Sequence, residues 1–280
     1  MRTPQRGVAI VLAMGVVALA ALTATAMVVS QGTWARQAEL TAGHVQAQLM
    51  IQAGLDWSRA MLSDDRLASN VDHPGEPWAL QLPPIPVDNG SLAGRIEDEQ
   101  GKFNLNNLLR NGKVDPVHLA QFQRLLSMLG LPPALASALA GWFEANNGPL
   151  IDTADLALVR GFDDKVRARL RQFVTALPRS TAVNANTAPP EVLSAVIDGL
   201  SIDDARALVA QRERSYIRDF SDFFKRLPAG ITVPTADVSV QSDFFLATMQ
   251  VTIGGAQAQG SALLVRGSSG WPAIAWRKYP

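Results

Sequence analysis

The sequence predicts an α+β fold in which a long N-terminal helix packs on an antiparallel sheet and a large all-α domain is inserted between the strands. Three patterns indicate this arrangement. No proline interrupts residues 5–73, helical periodicities fill residues 104–227, and side chains alternate with a period of two after Pro234. Of the 280 residues, 48% are hydrophobic and 18% are charged. Such a chain is globular and holds one large or two modest domains.

Charge and cysteine content exclude several classes of function. The 25 basic and 25 acidic residues cancel, so neither a dominant nucleic-acid surface nor an anionic-membrane surface is expected. The chain contains no cysteine, which excludes disulfides, thiolate metal sites and cysteine nucleophiles without identifying a compartment.

Residues 8–29 form a candidate transmembrane segment. They carry no charge, and a helix of this length reaches about 33 Å, enough to cross the hydrocarbon core of a bilayer. Arg2 and Arg6 precede the segment without an acidic residue, whereas Glu39 closely follows Arg36 on the other side. The positive-inside rule therefore places the N-terminus in the cytoplasm and exports the bulk of the chain.

A cleaved signal peptide is the main alternative for this segment, because residues 8–22 fit an apolar h-region and Ala24-Thr25-Ala26 fits a cleavage site. The residues beyond favour a retained helix. Apolar side chains recur there at helical steps: Trp34, Ala38, Ala42, Val45, Leu49, Ala53, Trp57 and Ala60. This apolar stripe predicts an amphipathic continuation and one helix of about 55 residues, ending near residues 63–65. An anchor followed by an unrelated core helix is a further interpretation. Three glycines spaced eleven apart, Gly32, Gly43 and Gly54, each weaken the helix relative to alanine and so allow local bending.

The sheet is predicted from two separate parts of the chain. Residues 72–90 contain five prolines and are predicted to form a loop, after which Leu92, Gly94 and Ile96 alternate as a short strand before a turn at Gln100-Gly101. Near the C-terminus, one face of a strand carries Phe245, Ala247, Met249, Val251 and Ile253. A turn at Gly254-Gly255, a second strand over residues 256–267, a turn at residues 267–270 and a third strand over residues 273–279 complete an antiparallel meander.

The helical block has two halves that open in a similar way. "FNLNNLL" at residues 103–109 and "VNANTAPPEVLSAV" at residues 183–196 start 80 positions apart and suggest a weak duplication, with the asparagines interpreted as helix caps. The second half resembles helix-hairpin-helix modules, which bind nucleic-acid backbones. The turns of the two halves, Gly130-Leu131-Pro132 and Gly199-Leu200-Ser201, lack a Gly-apolar-Gly pattern, and Pro132 offers no N–H. Residues 183–227 have a net charge of about −1. These features argue against a DNA-binding uptake component.

No catalytic pattern is present in the sequence. His44, His73 and His118 lack metal-ligand spacing, and "GSSG" at residues 267–270 is not a nucleophile elbow. Oxygen ligands for Ca²⁺ are available at residues 97–99 and at Asp72 and Glu76, but no ligand-loop pattern accompanies them. A solvated acidic edge is the favoured interpretation. We assign no metal ligands, and calcium stays open.

"RGVAIVL" at residues 6–12 resembles the type IV prepilin processing motif. The resemblance implies that prepilin peptidase cuts between Gly7 and Val8, that Val8 is methylated, and that the apolar helix is kept as an anchor and assembly element. Two positions depart from the pattern: Val8 stands where phenylalanine is usual, and Leu12 stands where most members have glutamate. The family member that lacks this glutamate is the minor pseudopilin K of type II (general) secretion, proposed to cap the pseudopilus tip.

Three further stretches resemble ones typical of pseudopilin K: "GRIEDEQGKFNLNNLL", "VNANTAPPEVL" and "QSDFFLATMQV". The resemblance implies a pilin-like fold with two helix-hairpin-helix or SAM-like repeats inserted between strands. It divides the chain into a leader (1–7), a transmembrane segment (8–29), an amphipathic helix (30–66), a loop with the first strand (67–102), a helical domain (103–230, with halves 103–180 and 181–230) and the C-terminal strands (231–280).

The resemblance also implies partners and a location. The partners are minor pseudopilins I, J and H, major pseudopilin G, the inner-membrane assembly platform and prepilin peptidase, together with secreted substrates and the outer-membrane secretin as candidates. No nucleic acid is expected. The location is the bacterial inner membrane, with one span and a periplasmic C-terminal bulk. A membrane-anchored or secreted periplasmic binding module is the alternative function.

Overall fold

The computed structural model of this chain describes residues 6–146, 148–267 and 270–279. Its helices and strands, in chain order, are α1 (Arg6–Ala68), β1 (Leu82–Val87), β2 (Gly90–Asp98), β3 (Phe103–Asn104), β4 (Leu109–Arg110), β5 (Lys113–Val114), α2 (Pro116–Met128), α3 (Ala134–Asn146), α4 (Asp164–Leu170), β6 (Val174–Thr175), β7 (Val183–Asn184), α5 (Pro190–Val196), α6 (Ile202–Arg214), α7 (Phe220–Arg226), β8 (Val238–Ser239), β9 (Phe244–Ile253), β10 (Ala256–Val265) and β11 (Ala273–Lys278). The predicted mixture of helix and sheet is confirmed.

α1 is a single helix of 63 residues, longer than the predicted length of about 55. The predicted end near residues 63–65 is wrong by three to five residues, since the helix ends at Ala68. Arg66 lies in its last turn, where a cation interacts favourably with the helix dipole. The predicted leader, residues 1–7, falls largely on Met1 to Gln5, outside the described residues.

The main sheet has five antiparallel strands in the order β1-β2-β9-β10-β11. β2 pairs with β9 although residues 99–243 separate them along the chain. The segment that contains helices α2 to α7 is therefore inserted, along the chain, between two strands that are neighbours in the sheet. The predicted turn at Gly254-Gly255 joins β9 to β10, and both glycines have positive φ. Ser268 and Ser269 of the predicted turn after β10 lie outside the described residues.

The prediction of a loop over residues 72–90 is wrong in part, because β1 lies within it. β1 has the sequence LPPIPV and pairs only with β2, at the edge of the sheet. Its register shifts between Leu82 and Ile85. Proline has no N–H to donate, but an edge strand has one side without a partner, so prolines are tolerated there and also protect the edge from further pairing.

α1 packs on the sheet through a face of small and branched residues. Ala47, Ile51, Leu55 and Leu62 are fully buried against the face of β9 that carries Met249. A Cβ at Gly54 would lie 2.9 Å from Met249 Sδ, and one at Gly260 would lie 2.4 Å from Ile51 Cγ2. These glycines therefore allow helix and sheet to approach closely.

The helical region has its own core, which includes the stacked rings of Phe103 and Phe122. Two buried asparagines bind distant main chain there. Asn106 accepts from Leu150 N (2.9 Å) and donates to Leu150 O (2.9 Å), and Asn186 does the same with Ile217 (2.7 and 2.9 Å). The interpretation of these asparagines as helix caps is therefore incomplete, because they hold loops together across tens of residues.

Candidate functional site

The predicted apolar stripe lies on one face of α1, but it is not the face that packs on the sheet. Trp34 is 76% exposed and Leu49 is 66% exposed, whereas Ile51, two residues further, is 0% exposed. The exposed surface along this face is formed by Trp34, Gln37, Ala38, Thr41, Ala42, Val45, Gln46 and Leu49. A contiguous apolar surface of this kind is typical of an interaction site in a protein that functions in an assembly.

The apolar surface continues along the membrane-type half of α1. The most apolar window of this helix has a mean hydropathy of 2.3 and contains no buried residue. By length and composition the helix can therefore cross a membrane, which is consistent with membrane anchoring. Leu12 lies in this half, with its side chain exposed. The predicted cut site, between Gly7 and Val8, falls within the first turn of α1.

A buried polar cluster joins the C-terminal end of α1 to the sheet. Arg266, at the end of β10, donates from Nη1 to Asp65 Oδ2 (2.7 Å) and from Nη2 to both carboxylate oxygens of Asp72 and to Ser242 O. Its guanidinium also lies 4.8 Å from the centroid of the Phe245 ring. Sequence reasoning missed Arg266, since a single arginine after an apolar strand carries no pattern.

The polar cluster continues into the helical region through Asp98. This carboxylate accepts from Gln100 N, Asn184 Nδ2, Thr187 Oγ1 and Ser242 Oγ. Burial raises the pKa of Asp98 to about 6 even though these donors oppose the shift. Burial likewise raises the pKa of Asp65 to about 6, with neighbouring carboxylates adding to the effect and Arg266 opposing it. The pKa of Asp72 is also raised, chiefly by burial.

The acidic residues left open for calcium meet protein donors instead. Asp65, Asp72 and Glu76 place carboxylate oxygens within 4.8 Å of one another, but the Arg266 guanidinium pairs with the two aspartates. Glu76 accepts from Trp78 Nε1 (2.8 Å) and His73 N (2.9 Å). Glu99 pairs with Lys102. The interpretation as a solvated acidic edge is wrong for these residues, since Asp72, Glu76, Asp98 and Glu99 are buried.

The three histidines occupy unrelated surroundings. His44 is exposed on α1, His73 stacks on Tyr216 with ring centroids 4.0 Å apart, and His118 lies beside Asp115, which caps α2. Within the described ranges, no histidine belongs to a group of side chains with metal-ligand geometry. The turn between α2 and α3 contains Gly130 and the turn between α5 and α6 contains Gly199, and both glycines have positive φ.

Comparison with known proteins gives a consistent result. Two family models described as "Type II secretion system (T2SS), protein K" match residues 101–179 and residues 183–241. The chain is 29% identical to type II secretion system protein K of Pseudomonas aeruginosa, over 96% of this chain and 91% of the relative. The protein of the same description from Klebsiella pneumoniae is also 29% identical, over 93% of this chain and 92% of the relative.

A solved structure has the same fold. A chain in the crystal structure of the GspK-GspI-GspJ complex from the enterotoxigenic Escherichia coli type 2 secretion system superposes with a TM-score of 0.73 and 23% identity. The alignment covers 86% of this chain and 98% of that chain. The match extends the likeness from the helical region to the sheet and most of the chain.

Proposed function

We propose that this chain, which belongs to the type II secretion system protein K family, forms the tip or initiation complex of the periplasmic pseudopilus. As a minor pseudopilin it takes part in type II secretion, the export of folded proteins from the periplasm across the outer membrane. Its role is assembly and not catalysis. The observation that carries the proposal is the continuity of α1, which presents the apolar membrane segment and the exposed apolar stripe on one unbroken helix.

The apolar stripe needs a partner once the helix leaves the bilayer. Trp34 and Leu49 lie beyond the uncharged segment that ends at residue 29, so without a neighbour their side chains face water. Helices of other subunits with comparable stripes bury this surface by side-by-side packing, which removes apolar area from water. The face that holds Ile51 is already occupied by the sheet, so assembly uses the opposite face.

Leu12 fits a subunit at the end of the assembly. We infer that prepilin peptidase cuts between Gly7 and Val8 and that Val8 is then methylated, so Leu12 becomes the fifth residue of the mature chain. A carboxylate there neutralises the amino terminus of a neighbouring subunit, and an unpaired charge in an apolar environment is unfavourable by several kcal/mol. Leu12 offers no such pairing. The subunit therefore takes a place where that contact is not needed.

The partners follow from this position. The solved relative is a complex of GspK with GspI and GspJ, and the corresponding minor pseudopilins I and J are the proposed neighbours of this chain. Pseudopilin H, the major pseudopilin G, the assembly platform of the inner membrane, secreted substrates and the outer-membrane secretin are further proposed partners. The chain spans the inner membrane once, with its N-terminus in the cytoplasm and its bulk in the periplasm.

We further infer that the inserted region, residues 103–230, is a duplicated helix-hairpin-helix or SAM-like unit with halves 103–180 and 181–230. The family matches over residues 101–179 and 183–241 support this division. So do the equivalent contacts of Asn106 with Leu150 and of Asn186 with Ile217. The leader (1–7), the span (8–29), the amphipathic helix (30–66), the segment 67–102 and the strands of 231–280 complete the proposed organisation.

N-terminal sequencing of the mature protein, purified from membranes of a bacterium with the matching prepilin peptidase, tests the processing step. A methylated Val8 is the expected first residue. Met27 would indicate a secreted protein, and Met1 an uncut anchor, and either result would contradict the proposal. Two glycine variants provide a matched control. Gly7→Val should block the cut, while Gly15→Val, inside the apolar segment where an added Cβ meets no atom within 4 Å, should leave it unchanged.

A further inference from the structure

A groove lies on the face of the sheet that α1 does not cover. Its volume is about 670 Å³. Its floor comes from β2, β9, β10 and β11, and its opposite wall comes from residues 152–176 of the helical region. Thr248 of β9 points into it, whereas Met249 on the same strand packs under α1. We call this the sheet groove. It is separate from the apolar stripe.

The sheet groove carries one unpaired positive charge. Its lining includes four basic and three acidic side chains, and each acid already has a partner. Glu97 pairs with Arg95, Glu99 with Lys102 and Asp152 with Lys278. Arg171 is exposed and has no ion-pair partner within the part of the chain that the structure describes. Its guanidinium is therefore available to a carboxylate, which it can bind through two parallel N–H groups.

A second donor in the groove lacks an acceptor. Trp276 Nε1 is buried and has no hydrogen-bond partner among the described residues. Buried N–H groups in proteins are almost always satisfied, so such a donor indicates a missing acceptor. The Lys278 ammonium, on the same strand, lies 4.9 Å from the centroid of the Trp276 ring. Because Trp276 lines the groove, a ligand in the groove is a candidate source of this acceptor.

The floor of the groove suits an extended chain. Thr248, Gln259 and Ser261 present neutral hydroxyl and amide groups, and Leu246 and Leu263, which pair across β9 and β10, lie next to them. Alternate residues on a strand face are about 6.6 Å apart, the same spacing that alternate residues have in an extended peptide. A volume of this size falls within the range of roughly 300 to 1,000 Å³ typical of ligand sites. An apolar helix would leave these polar groups unpaired, and nucleic acid would need clustered positive charge.

From these contacts we propose that the sheet groove binds an extended acidic peptide segment of a partner protein. A carboxylate of the segment pairs with Arg171, a carbonyl or side-chain oxygen accepts from Trp276 Nε1, and the remaining polar groups meet the threonine, glutamine and serine of the floor. The Asp152–Lys278 pair joins the floor of the groove to its opposite wall.

Fluorescence anisotropy on the full chain in detergent tests this proposal. The probe is a fluorescein-labelled peptide of eight alternating threonine and glutamate residues. Binding is expected at low ionic strength, and Arg171→Gln should weaken it about tenfold, because a charge-assisted hydrogen bond is lost. Trp276→Phe should weaken it severalfold. Arg169→Gln is the matched control, since Arg169 is exposed on α4 but does not line the groove.

Specific outcomes overturn the proposal. Absence of binding, equal binding of a peptide with glutamine in place of glutamate, or an equal effect of the Arg169 and Arg171 substitutions would each do so. Arg171 is exposed and forms no ion pair among the described residues, so the Arg171→Gln variant should unfold at the wild-type urea concentration. That measurement separates a loss of the site from a loss of the fold.

Discussion

Leu49 and Ile51 lie two residues apart on α1 and on opposite faces of it, so alanine at each position separates assembly from folding. Leu49 is exposed on the apolar stripe, and Ile51 is fully buried against Gly260 of the sheet. Ile51→Ala leaves a cavity at a tight contact and should lower the free energy of unfolding by about 2–5 kcal/mol. Leu49→Ala changes a side chain that is 66% exposed and should change the free energy of unfolding by less than about 0.5 kcal/mol.

The two substitutions should have the opposite order of effects on assembly, when both variants are compared in the folded state. Burial of a leucine side chain stabilises an interface by roughly 1.5–3 kcal/mol. Leu49→Ala should therefore cost about 2 kcal/mol of binding to the minor pseudopilins I and J, or about 30-fold in Kd. Ile51→Ala, compared under conditions in which it is still folded, should keep its Kd within about threefold of wild type, since Ile51 does not reach the surface.

Both measurements use the full chain in detergent. Urea unfolding followed by near-ultraviolet circular dichroism gives the free energy of unfolding, and titration of the labelled chain with purified I and J pseudopilins gives Kd. If Leu49→Ala lowers stability by more than about 1 kcal/mol and leaves Kd unchanged, the apolar stripe belongs to the fold. In that case the assignment of the stripe to assembly is wrong.

Two predictions concern the buried polar cluster. Arg266→Met leaves Asp65 and Asp72 buried without their cation, which should lower the free energy of unfolding by about 3–5 kcal/mol in the same urea assay. The exposed Arg277→Met is the control, and a loss below about 1 kcal/mol for Arg266→Met would contradict the assigned ion pairs. The second prediction is pH dependence. Burial raises the pKa of Asp65 and of Asp98 to about 6 from 3.8, so the folded state binds more protons than the unfolded state. This contribution to stability is complete below the unfolded pKa and is lost as the pH rises through 6.

The pH effect has a definite size and control. Between pH 5 and pH 7 each of the two carboxyl groups should lower the free energy of unfolding by roughly 1 kcal/mol, since one pKa unit corresponds to 1.36 kcal/mol. Urea midpoints measured across this interval check the sum. Asp65→Asn should remove about half of the slope. A stability that rises from pH 5 to pH 7 would show that these carboxyl groups are not desolvated as the structure places them.

Periodic features of this chain could be predicted because each residue's role is set by its neighbours along the sequence. The alternation from Phe245 to Ile253 defines β9 and its buried face, and the run without proline defines α1. The stripe from Trp34 was also visible as a helical face. The sequence did not show which of the two apolar faces of α1 packs on the sheet. That choice depends on Gly54, Gly94 and Met249, which meet across three separate elements.

The residues that sequence reasoning missed act through long-range partners. β1 was not predicted because its prolines are tolerated only in an edge strand. Whether a strand lies at the edge depends on the pairing of the whole sheet and not on the strand's own sequence. Asp72 and Asp98 were interpreted as solvated acids because no residue near them in the sequence indicates that Arg266 pairs with Asp72 or that Asn184 donates to Asp98. Buried polar groups are stable only when every partner is present, so their sequence signal is spread over distant positions and no short motif contains it.

The buried polar cluster joins α1 to the inserted helical region. Arg266 holds Asp65 of α1 and Asp72, Ser242 bridges Asp72 to Asp98, and Asn184 of the helical region donates to Asp98. Each step is a hydrogen bond in an environment that excludes water, where a broken bond leaves an unpaired group and is unfavourable. The helical region is thus held at a fixed position relative to α1. The proposed role as a cap requires this property, because a loosely tethered domain would not prevent the addition of another subunit.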